Sequence, residues 1–181
     1  MKILVASDIH GSHLYCKQLV EAFEREKANK LLLLGDLFYH GPRNALPEIY
    51  QPMQVAEMLN ALRDRILCVR GNCDAEIDQM IAQFPIMADY CMLFIGGRTI
   101  FATHGHLYNT DQLPPLSPGD ILLHGHTHVP VCESFGENNY YLNPGSVSIP
   151  KGGSERGYLL MDQTGCSWKT LDGAQFMRYD F

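Results

Sequence analysis

A run of four leucines at residues 31–34, followed by Gly35 and Asp36, limits the possible folds of this chain more than any other stretch. The run is short for a helix, and a continuous apolar segment between a charged residue and a glycine is typical of a strand buried on both faces of a largely parallel sheet. In α/β proteins, ligands collect at the carboxyl ends of such strands. Asp36 stands at that end, but a Gly-Asp pair after a strand is more often a turn. Its function therefore depends on the rest of the chain.

The first half of the chain alternates strands with helices. The predicted elements are a strand over residues 2–7, a helix over 13–27, the strand over 31–34, a helix over 53–64, a strand over 66–69 and a short helix over 76–83. Ser12 can cap the first of these helices. Three prolines exclude regular structure from residues 37–52, and a loop of this length after a ligand-bearing strand is usually functional.

From residue 90 onward, the pattern changes to short strands separated by turns. The predicted strands cover residues 92–95, 99–103, 121–123, 130–135, 139–142, 157–162, 166–171 and 175–179. A strand-helix half followed by a half made mostly of strands predicts two packed sheets with helices on their outer faces. A chain of 181 residues with 46% hydrophobic content can bury one sizeable core, so we expect a single domain over residues 1–181.

Composition limits the classes of partner and the compartment. A formal net charge of −6 and the lack of a Lys/Arg run argue against stable nucleic-acid binding. No apolar segment approaches the roughly 20 residues that a membrane helix needs, so we expect no membrane partner. The six cysteines form no Cys-x-x-Cys pair, and Asp8 and His10 interrupt the first apolar run, which does not resemble a signal peptide. These features predict a reduced, cytoplasmic protein.

Five predicted strand ends carry side chains that can bind metal ions. The seven candidate ligands are Asp8, His10, Asp36, Asn72, His104, His126 and His128. If the extended conformation persists through Asp8 and His10, both side chains leave the same face of the strand. A single histidine at a strand end is more often structural, but a coincidence of five ends is harder to explain in that way. Oxygen and nitrogen donors without a compelling thiolate suit a pair of divalent first-row ions better than a structural zinc ion.

These residues resemble the motifs of the calcineurin-like metallophosphoesterases. Their order and spacing match the family from residue 3 to about residue 150, through Asp8-x-His10, Gly35-Asp36, Gly71-Asn72, Thr-His-Gly-His at 103–106 and Gly-His-Thr-His at 125–128. Two further segments, His-Gly-Pro-Arg-Asn at 40–44 and Asn-Pro-Gly-Ser-Val-Ser-Ile-Pro-Lys at 143–151, are most similar to the small bacterial phosphodiesterases of the YfcE type.

The resemblance implies both a fold and a ligand set. The implied fold is α/β (α+β), a four-layer α-β-β-α sandwich of two mixed β-sheets flanked by helices, with the metal ions at one rim. The implied ligands are Asp8, His10 and His128 for one ion and Asn72, His104 and His126 for the other, with Asp36 bridging the two. We expect two divalent transition-metal ions, Mn²⁺ first, with Zn²⁺, Ni²⁺, Fe²⁺ and Co²⁺ as alternatives.

The implied activity is hydrolysis of a small or nucleotide-like phosphodiester. A hydroxide shared by two ions about 3.5 to 4 Å apart would attack phosphorus in line. The implied catalytic residues are Asp36, Asn72, Cys73 and His104. Cys73 stands where the family often has a histidine, and a thiol with a pKa of about 8.5 is a poor match for protonating a leaving group. We therefore expect a preference for diesters with good leaving groups, unless Cys73 is only a small filler near the site.

Arg43 is the best candidate for contact with the substrate phosphate, because a loop arginine can approach a phosphoryl oxygen with a forked donor. A solvated loop arginine is an equal alternative. His40 and His106 are further candidates for the same pocket.

Other functions remain as alternatives. A phosphomonoesterase is disfavoured by Cys73, and a repair nuclease is disfavoured by the short chain without a basic path for DNA. A non-catalytic protein-binding scaffold, similar to a retromer subunit of this fold, is disfavoured because all seven ligand positions hold competent donors. Exposed edge strands would permit a homo-oligomer, either a dimer or a tetramer.

Overall fold

The structure is a computed structural model that describes residues 1–181. It contains three α-helices, a short 3₁₀ helix at Arg63–Arg65 and eleven strands. The helices are α1 (His13–Arg25), α2 (Pro52–Asn60) and α3 (Glu76–Gln79). The strands are β1 (Ile3–Ala6), β2 (Lys30–Leu33), β3 (Ile66–Cys68), β4 (Tyr90–Ile95), β5 (Arg98–Thr103), β6 (Ile121–Leu123), β7 (Pro130–Phe135), β8 (Asn139–Pro144), β9 (Gly157–Asp162), β10 (Gly165–Thr170) and β11 (Gln175–Asp180).

The strands form two mixed sheets. Sheet I has the order β11-β10-β9-β1-β2-β3, and sheet II has the order β4-β5-β6-β8-β7. In sheet I, β2 pairs in parallel with β1 and β3, whereas β1 pairs with β9 in the antiparallel sense. In sheet II, β6 pairs in parallel with β5 and β8. The carboxyl ends of the parallel strands therefore lie at shared edges, where α/β proteins place their ligands.

The leucine run is buried on both faces, as its continuous apolar character predicts. Leu31 and Leu33 face the helices and belong to one apolar core, whereas Leu32 and Leu34 face sheet II and belong to a second core. Period-two alternation places successive side chains on opposite faces of a strand, so one apolar run can serve both cores. Trp168 lies in the core between the sheets, and its indole nitrogen donates to the carbonyl oxygen of Asn143 at 2.6 Å.

The first helix begins where the sequence predicts. The Ser12 hydroxyl accepts a hydrogen bond from the Tyr15 backbone nitrogen at 3.4 Å, which caps α1. Both later helices end earlier than predicted. After Asn60, the chain tightens into the 3₁₀ turn, and the Asn60 side chain binds the backbone of Ile81 and Gln83. After α3, the Gln79 side chain binds backbone groups of the following loop.

The predicted sandwich of two mixed sheets with helices on it is confirmed, but the helices cover only sheet I. The buried side chains of α1 and α2 all belong to the core on the outer face of sheet I, and the core between the sheets contains no helical residue. On the outer face of sheet II, Phe101 stacks on Tyr90 with ring centroids 4.7 Å apart, and Tyr108 of the segment after β5 packs on Phe101 at 5.5 Å. No helix combines the length and the apolar character that crossing a bilayer demands.

Candidate metal centre

The predicted ligands converge at the carboxyl ends of five strands, β1, β2, β3, β5 and β6. The structure brings all seven into two adjoining groups. The first group holds Asp8, His10 and His128, and the second holds Asn72, His104 and His126. Asp36 lies between the groups.

The first group is tightly packed. The Oδ1 atom of Asp8 lies 3.5 Å from Nε2 of His10 and 3.2 Å from Nε2 of His128. The two Nε2 atoms are 3.3 Å apart. Asp8 and His10 are almost fully buried, and Asp8 Oδ1 has no hydrogen-bond partner in the protein. A buried carboxylate oxygen without a partner is costly, so the geometry calls for a cation between these three atoms.

Backbone carbonyls determine which nitrogen of each ring is free. The Nδ1 atoms of His10, His104 and His128 lie 2.8, 2.6 and 2.6 Å from three carbonyl oxygens, which belong to Tyr39, Leu34 and Ile149. A carbonyl oxygen can only accept, so each Nδ1 carries the hydrogen and each neutral ring presents the Nε2 lone pair. Carbonyl groups behind histidine ligands orient the rings of metal sites in this way. The residues therefore fit divalent metal ions.

The second group meets the first through Asp36. Nε2 of His104 lies 3.0 Å from the Asn72 side-chain oxygen and 3.2 Å from Nδ1 of His126. The Oδ2 atom of Asp36 is 3.5 Å from Nε2 of His104 and 3.7 Å from Nε2 of His10. One carboxylate oxygen is thus within reach of both groups, which is the position that a bridging ligand needs.

The backbone is strained at the candidate ligands. Five of them have positive φ angles, and these are Asp8 at 60°, His10 at 50°, Asp36 at 55°, His126 at 67° and His128 at 64°. Such angles are uncommon for residues with a side chain, cost about 1–3 kcal/mol each and cluster at functional sites. The premise of an extended chain through Asp8 and His10 is wrong, because β1 ends at Ala6. The two side chains meet because both residues turn into the left-handed region.

Protons can occupy the first group in place of ions. Burial opposes the charge on Asp8, but hydrogen bonds with the side chains of His10 and His128 hold the pKa of Asp8 well below its usual range. Burial also opposes the charge on His10, whereas the carboxylate of Asp8 raises the pKa of His10 above its usual value. Because metal ligands must be deprotonated, protons and divalent ions compete for this group.

Asp74 supports the centre from behind, and no role was predicted for it. Its carboxylate accepts hydrogen bonds from the backbone nitrogens of Asp36 at 2.8 Å, Leu37 at 2.9 Å and Gly71 at 2.7 Å. It therefore joins the loops after β2 and β3. Burial raises the pKa of Asp74, and the charge of Asp36 acts in the same direction, whereas the backbone donors lower it. The sequence feature that could have indicated a role for Asp74 was its place in the polar cluster Gly-Asn-Cys-Asp at 71–74.

The close approach of these two loops also requires glycine at position 71. A Cβ atom on Gly71 would overlap the Asp36 side chain and backbone nitrogen. The same carboxylate oxygen, Asp36 Oδ1, accepts a hydrogen bond from the Cys73 backbone nitrogen at 2.8 Å. The Gly-Asn-Cys segment thus orients the bridging carboxylate.

Cys73 faces the centre as a thiol. Its sulfur lies 3.2 Å from the Asn72 amide nitrogen. The same sulfur is within 4.8 Å of a ring nitrogen of His10 and of a carboxylate oxygen of Asp36. Burial raises the pKa of Cys73 to about 12, and the charge of Asp36 adds to this effect. The expectation of a poor acid at this position is consistent with that environment.

A cleft of about 470 Å³ opens over the two groups, and two cationic side chains line it. Arg43, the predicted phosphate contact, is one of them. The other is Lys151, for which the sequence indicated no role. Its backbone nitrogen donates to the carbonyl oxygen of His128 at 3.1 Å, which places Lys151 beside a candidate ligand. In the sequence, the only indication of a role for Lys151 was its place at the end of segment 143–151, which resembles the YfcE-type phosphodiesterases.

The two other predicted substrate residues do not line this cleft. The ring of His40 packs edge-on against Tyr39 and Tyr50, with centroids 4.7 and 5.4 Å away. The ring of His106 lies 5.4 Å from that of His104, at the margin of the second group. Burial lowers the pKa of His106 to about 4, and the neighbouring His104 and His126 contribute. His106 is therefore neutral near pH 7.

Known proteins resemble this chain in sequence and in fold. The chain is 49% identical to the phosphodiesterase YfcE of Escherichia coli (strain K12) over 162 residues, which are 90% of this chain and 88% of that protein. A solved structure of YfcE, a phosphoesterase from E. coli, superposes with a TM-score of 0.95 at 45% identity over 99% of both chains. Vps29 of Chaetomium thermophilum superposes with a TM-score of 0.64 over 100% of this chain and 97% of its own, but at 18% identity it shows the fold alone.

The family follows from the extent of the match. Residues 1–165 match the profile of the calcineurin-like phosphoesterase superfamily domain, which is most of the chain and includes all seven candidate ligands. The chain therefore belongs to the calcineurin-like phosphoesterase superfamily.

Proposed function

We propose that this protein is a metal-dependent phosphodiesterase that acts on small or nucleotide-like phosphodiesters. The observation that carries the proposal is the convergence of the Nε2 atoms of three histidines on the buried carboxylates of Asp8 and Asp36, beneath a cleft with two cationic side chains. The 49% identity to a protein named phosphodiesterase YfcE supports the choice of diesters.

We assign one divalent ion to Asp8, His10 and His128, a second to Asn72, His104 and His126, and both to the bridging Asp36. Mn²⁺ is our first choice, with Zn²⁺, Ni²⁺, Fe²⁺ and Co²⁺ as alternatives, because nitrogen and oxygen ligands accept all of them. When bound, two such ions supply Lewis-acid stabilisation of the phosphoryl oxygens and activate water for in-line attack.

The chain's own residues would bind and orient the substrate. Asn72 contributes an oxygen without negative charge, so two divalent ions facing the carboxylates of Asp8 and Asp36 would leave the centre positive and attractive to an anionic diester. Arg43 and Lys151 add two positive charges at the cleft wall. Cys73 would remain protonated and would not donate a proton to a strongly basic leaving group, which favours diesters with good leaving groups.

The alternatives have less support. A phosphomonoesterase would need help with the leaving group that Cys73 is poorly suited to give. A non-catalytic scaffold of the same fold would not need seven competent donors or strained backbone at five of them.

We further propose a single domain over residues 1–181, because strands β1 and β2 contribute side chains to both apolar cores. All six cysteines are free thiols, which supports a reduced, cytoplasmic location. The partner would be the small-molecule substrate, with no stable nucleic-acid or membrane partner, and a homo-oligomer stays a prediction.

Hydrolysis assays on metal-stripped protein would test the proposal. Bis(p-nitrophenyl) phosphate and p-nitrophenyl phosphate would be offered after restoring Mn²⁺, Zn²⁺, Ni²⁺ or Mg²⁺ in turn. We expect diester cleavage that depends on an added transition metal and is lost in Asp36→Asn but kept in the exposed control Asp111→Asn. No turnover with any metal, despite two bound ions, would favour the scaffold.

A further inference from the structure

A second groove adjoins the metal cleft and has the opposite character. It has a volume of about 400 Å³ and is lined mainly by apolar side chains, among them Tyr39, Tyr50, Met53 and Ile77. Cys73 lines both this groove and the metal cleft, so the two adjoin at this residue. A substrate with its phosphoryl group in the metal cleft could therefore place a second group past Cys73 in the groove.

The apolar walls are exposed to solvent. Tyr39 is 41% exposed, Met53 57% and Ile77 67%, and these residues come from the loop after β2, the start of α2 and the start of α3. Three separate segments thus direct apolar side chains into one depression. Exposed apolar surface in a concave site is typical of ligand binding, because a bound apolar group removes that surface from water.

The groove is attached rigidly to the metal centre. The Tyr39 carbonyl accepts the Nδ1 hydrogen of the candidate ligand His10 at 2.8 Å. Tyr50 forms an antiparallel bridge with Ser12, and its ring packs so closely on Gly11 that a Cβ atom there would lie 2.5 Å from it. The ring of His40 fills the space between Tyr39 and Tyr50. These contacts fix the aromatic wall relative to the candidate ligand His10, as a preformed subsite requires.

The groove offers little that could recognise a polar group. Asp78 is the only carboxylate in its wall, and the Oδ2 atom of Asp78 already accepts the Ala75 backbone hydrogen at 2.8 Å. The cationic side chains Arg43 and Lys151 line the metal cleft and not the groove. The phosphoryl group and the ester group thus have separate places, one charged and one apolar.

We propose that this groove binds an apolar ester group of the substrate, so that the preferred substrate is a phosphodiester with one alkyl or aryl substituent of several carbons. The proposal rests on the proposed function, because it needs the phosphoryl group at the metal centre. It adds the chemical class of one ester group, which the metal ligands do not determine.

Monoalkyl phosphates are suitable probes because each carries one phosphoryl group and one ester group. Isothermal titration of the Mn²⁺-loaded protein with methyl, butyl, hexyl and phenyl phosphate would measure binding without turnover. We expect hexyl phosphate to bind roughly tenfold or more tightly than methyl phosphate, since each added methylene enters an apolar site. The comparison of phenyl with hexyl phosphate then shows whether an aryl or an alkyl group fits better.

Substitutions in the groove wall test whether the dependence of binding on chain length arises there. Met53→Gln and Ile77→Gln should each reduce the ratio of methyl to hexyl dissociation constants toward one. Phe94→Gln is the matched control, because Phe94 is equally apolar and 73% exposed but lies on β4, away from the groove. If methyl phosphate binds but chain length has no effect, the groove proposal is overturned and the proposed function stands. If no phosphate binds and no diester is cleaved, both are overturned.

Discussion

The Nε2 atoms of His10 and His128 lie 3.3 Å apart, although the Nδ1 atom of each ring is held against a backbone carbonyl, that of Tyr39 or Ile149. The carbonyls hold the Nδ1 hydrogens and direct both Nε2 atoms at one point, beside the unpartnered Oδ1 of Asp8. Lone pairs so close together repel unless a cation lies among them. The folded chain is thus prepared for an ion before the ion binds.

Removal of the ions should therefore destabilise the protein. An ion that binds only the folded state adds about 2.7 kcal/mol to the free energy of unfolding at a hundredfold excess over its Kd. We expect the melting temperature to fall after chelation and to recover when Mn²⁺ is added. The recovery should be weaker at pH 6 than at pH 8, because the raised pKa of His10 lets protons compete as the pH falls. A melting temperature that does not change when saturating Mn²⁺ is added, at either pH, would contradict this prediction.

Asp74→Asn should weaken the centre without removing a ligand. The amide nitrogen of the variant replaces one carboxylate oxygen and cannot accept, so at least one of the buried backbone donors of Asp36, Leu37 and Gly71 loses its partner. We expect a loss of roughly 1–3 kcal/mol in the free energy of unfolding, measured by urea denaturation of the metal-free protein. Metal affinity should fall about 10- to 100-fold, as for other residues that orient ligands. Asp111→Asn, at an exposed position, should change neither quantity.

Cys73→His should change which esters are cleaved. The native thiol keeps its proton because burial raises its pKa to about 12, whereas an imidazole can donate a proton near pH 7. We expect the variant to raise kcat/KM for alkyl monoesters relative to aryl diesters. Cys73→Ser is the matched control and should keep the native preference. The idea fails if native protein already cleaves alkyl monoesters faster than aryl diesters, or if Cys73→His leaves the ratio unchanged.

Arg43→Ala and Lys151→Ala should each impair catalysis with metal content intact. Both side chains line the cleft over the ions, and a charge-assisted contact to a phosphoryl oxygen is about twice as strong as a neutral one. We expect kcat/KM for the diester to fall roughly 10- to 100-fold, since bonds to charged groups contribute about 1.5–3 kcal/mol. Metal analysis would confirm full loading. Lys17→Ala, at an exposed position of α1, is the control, and equal activity in all three variants would exclude the contact.

The sequence alone determined the strands, the order of the motifs and the identity of the candidate ligands. Local patterns carry this information, because the apolar run at 31–34 and the polar residues after each strand can be seen without knowing what they touch. Asp36 was recognisable for the same reason. The resemblance to the calcineurin-like metallophosphoesterases added the ligand groups, and the structure places these residues in the same two groups.

Only the tertiary structure decided what surrounds those ligands. His10 and His128 are 118 residues apart in the chain, so their approach depends on how the two sheets pack. The positive φ angles of Asp8 and His10, the support from Asp74, the place of Lys151 and the apolar groove beyond Cys73 all arise from contacts between distant segments. Such contacts leave no periodic signal in the chain, because they are set by the folded backbone and not by neighbouring residues.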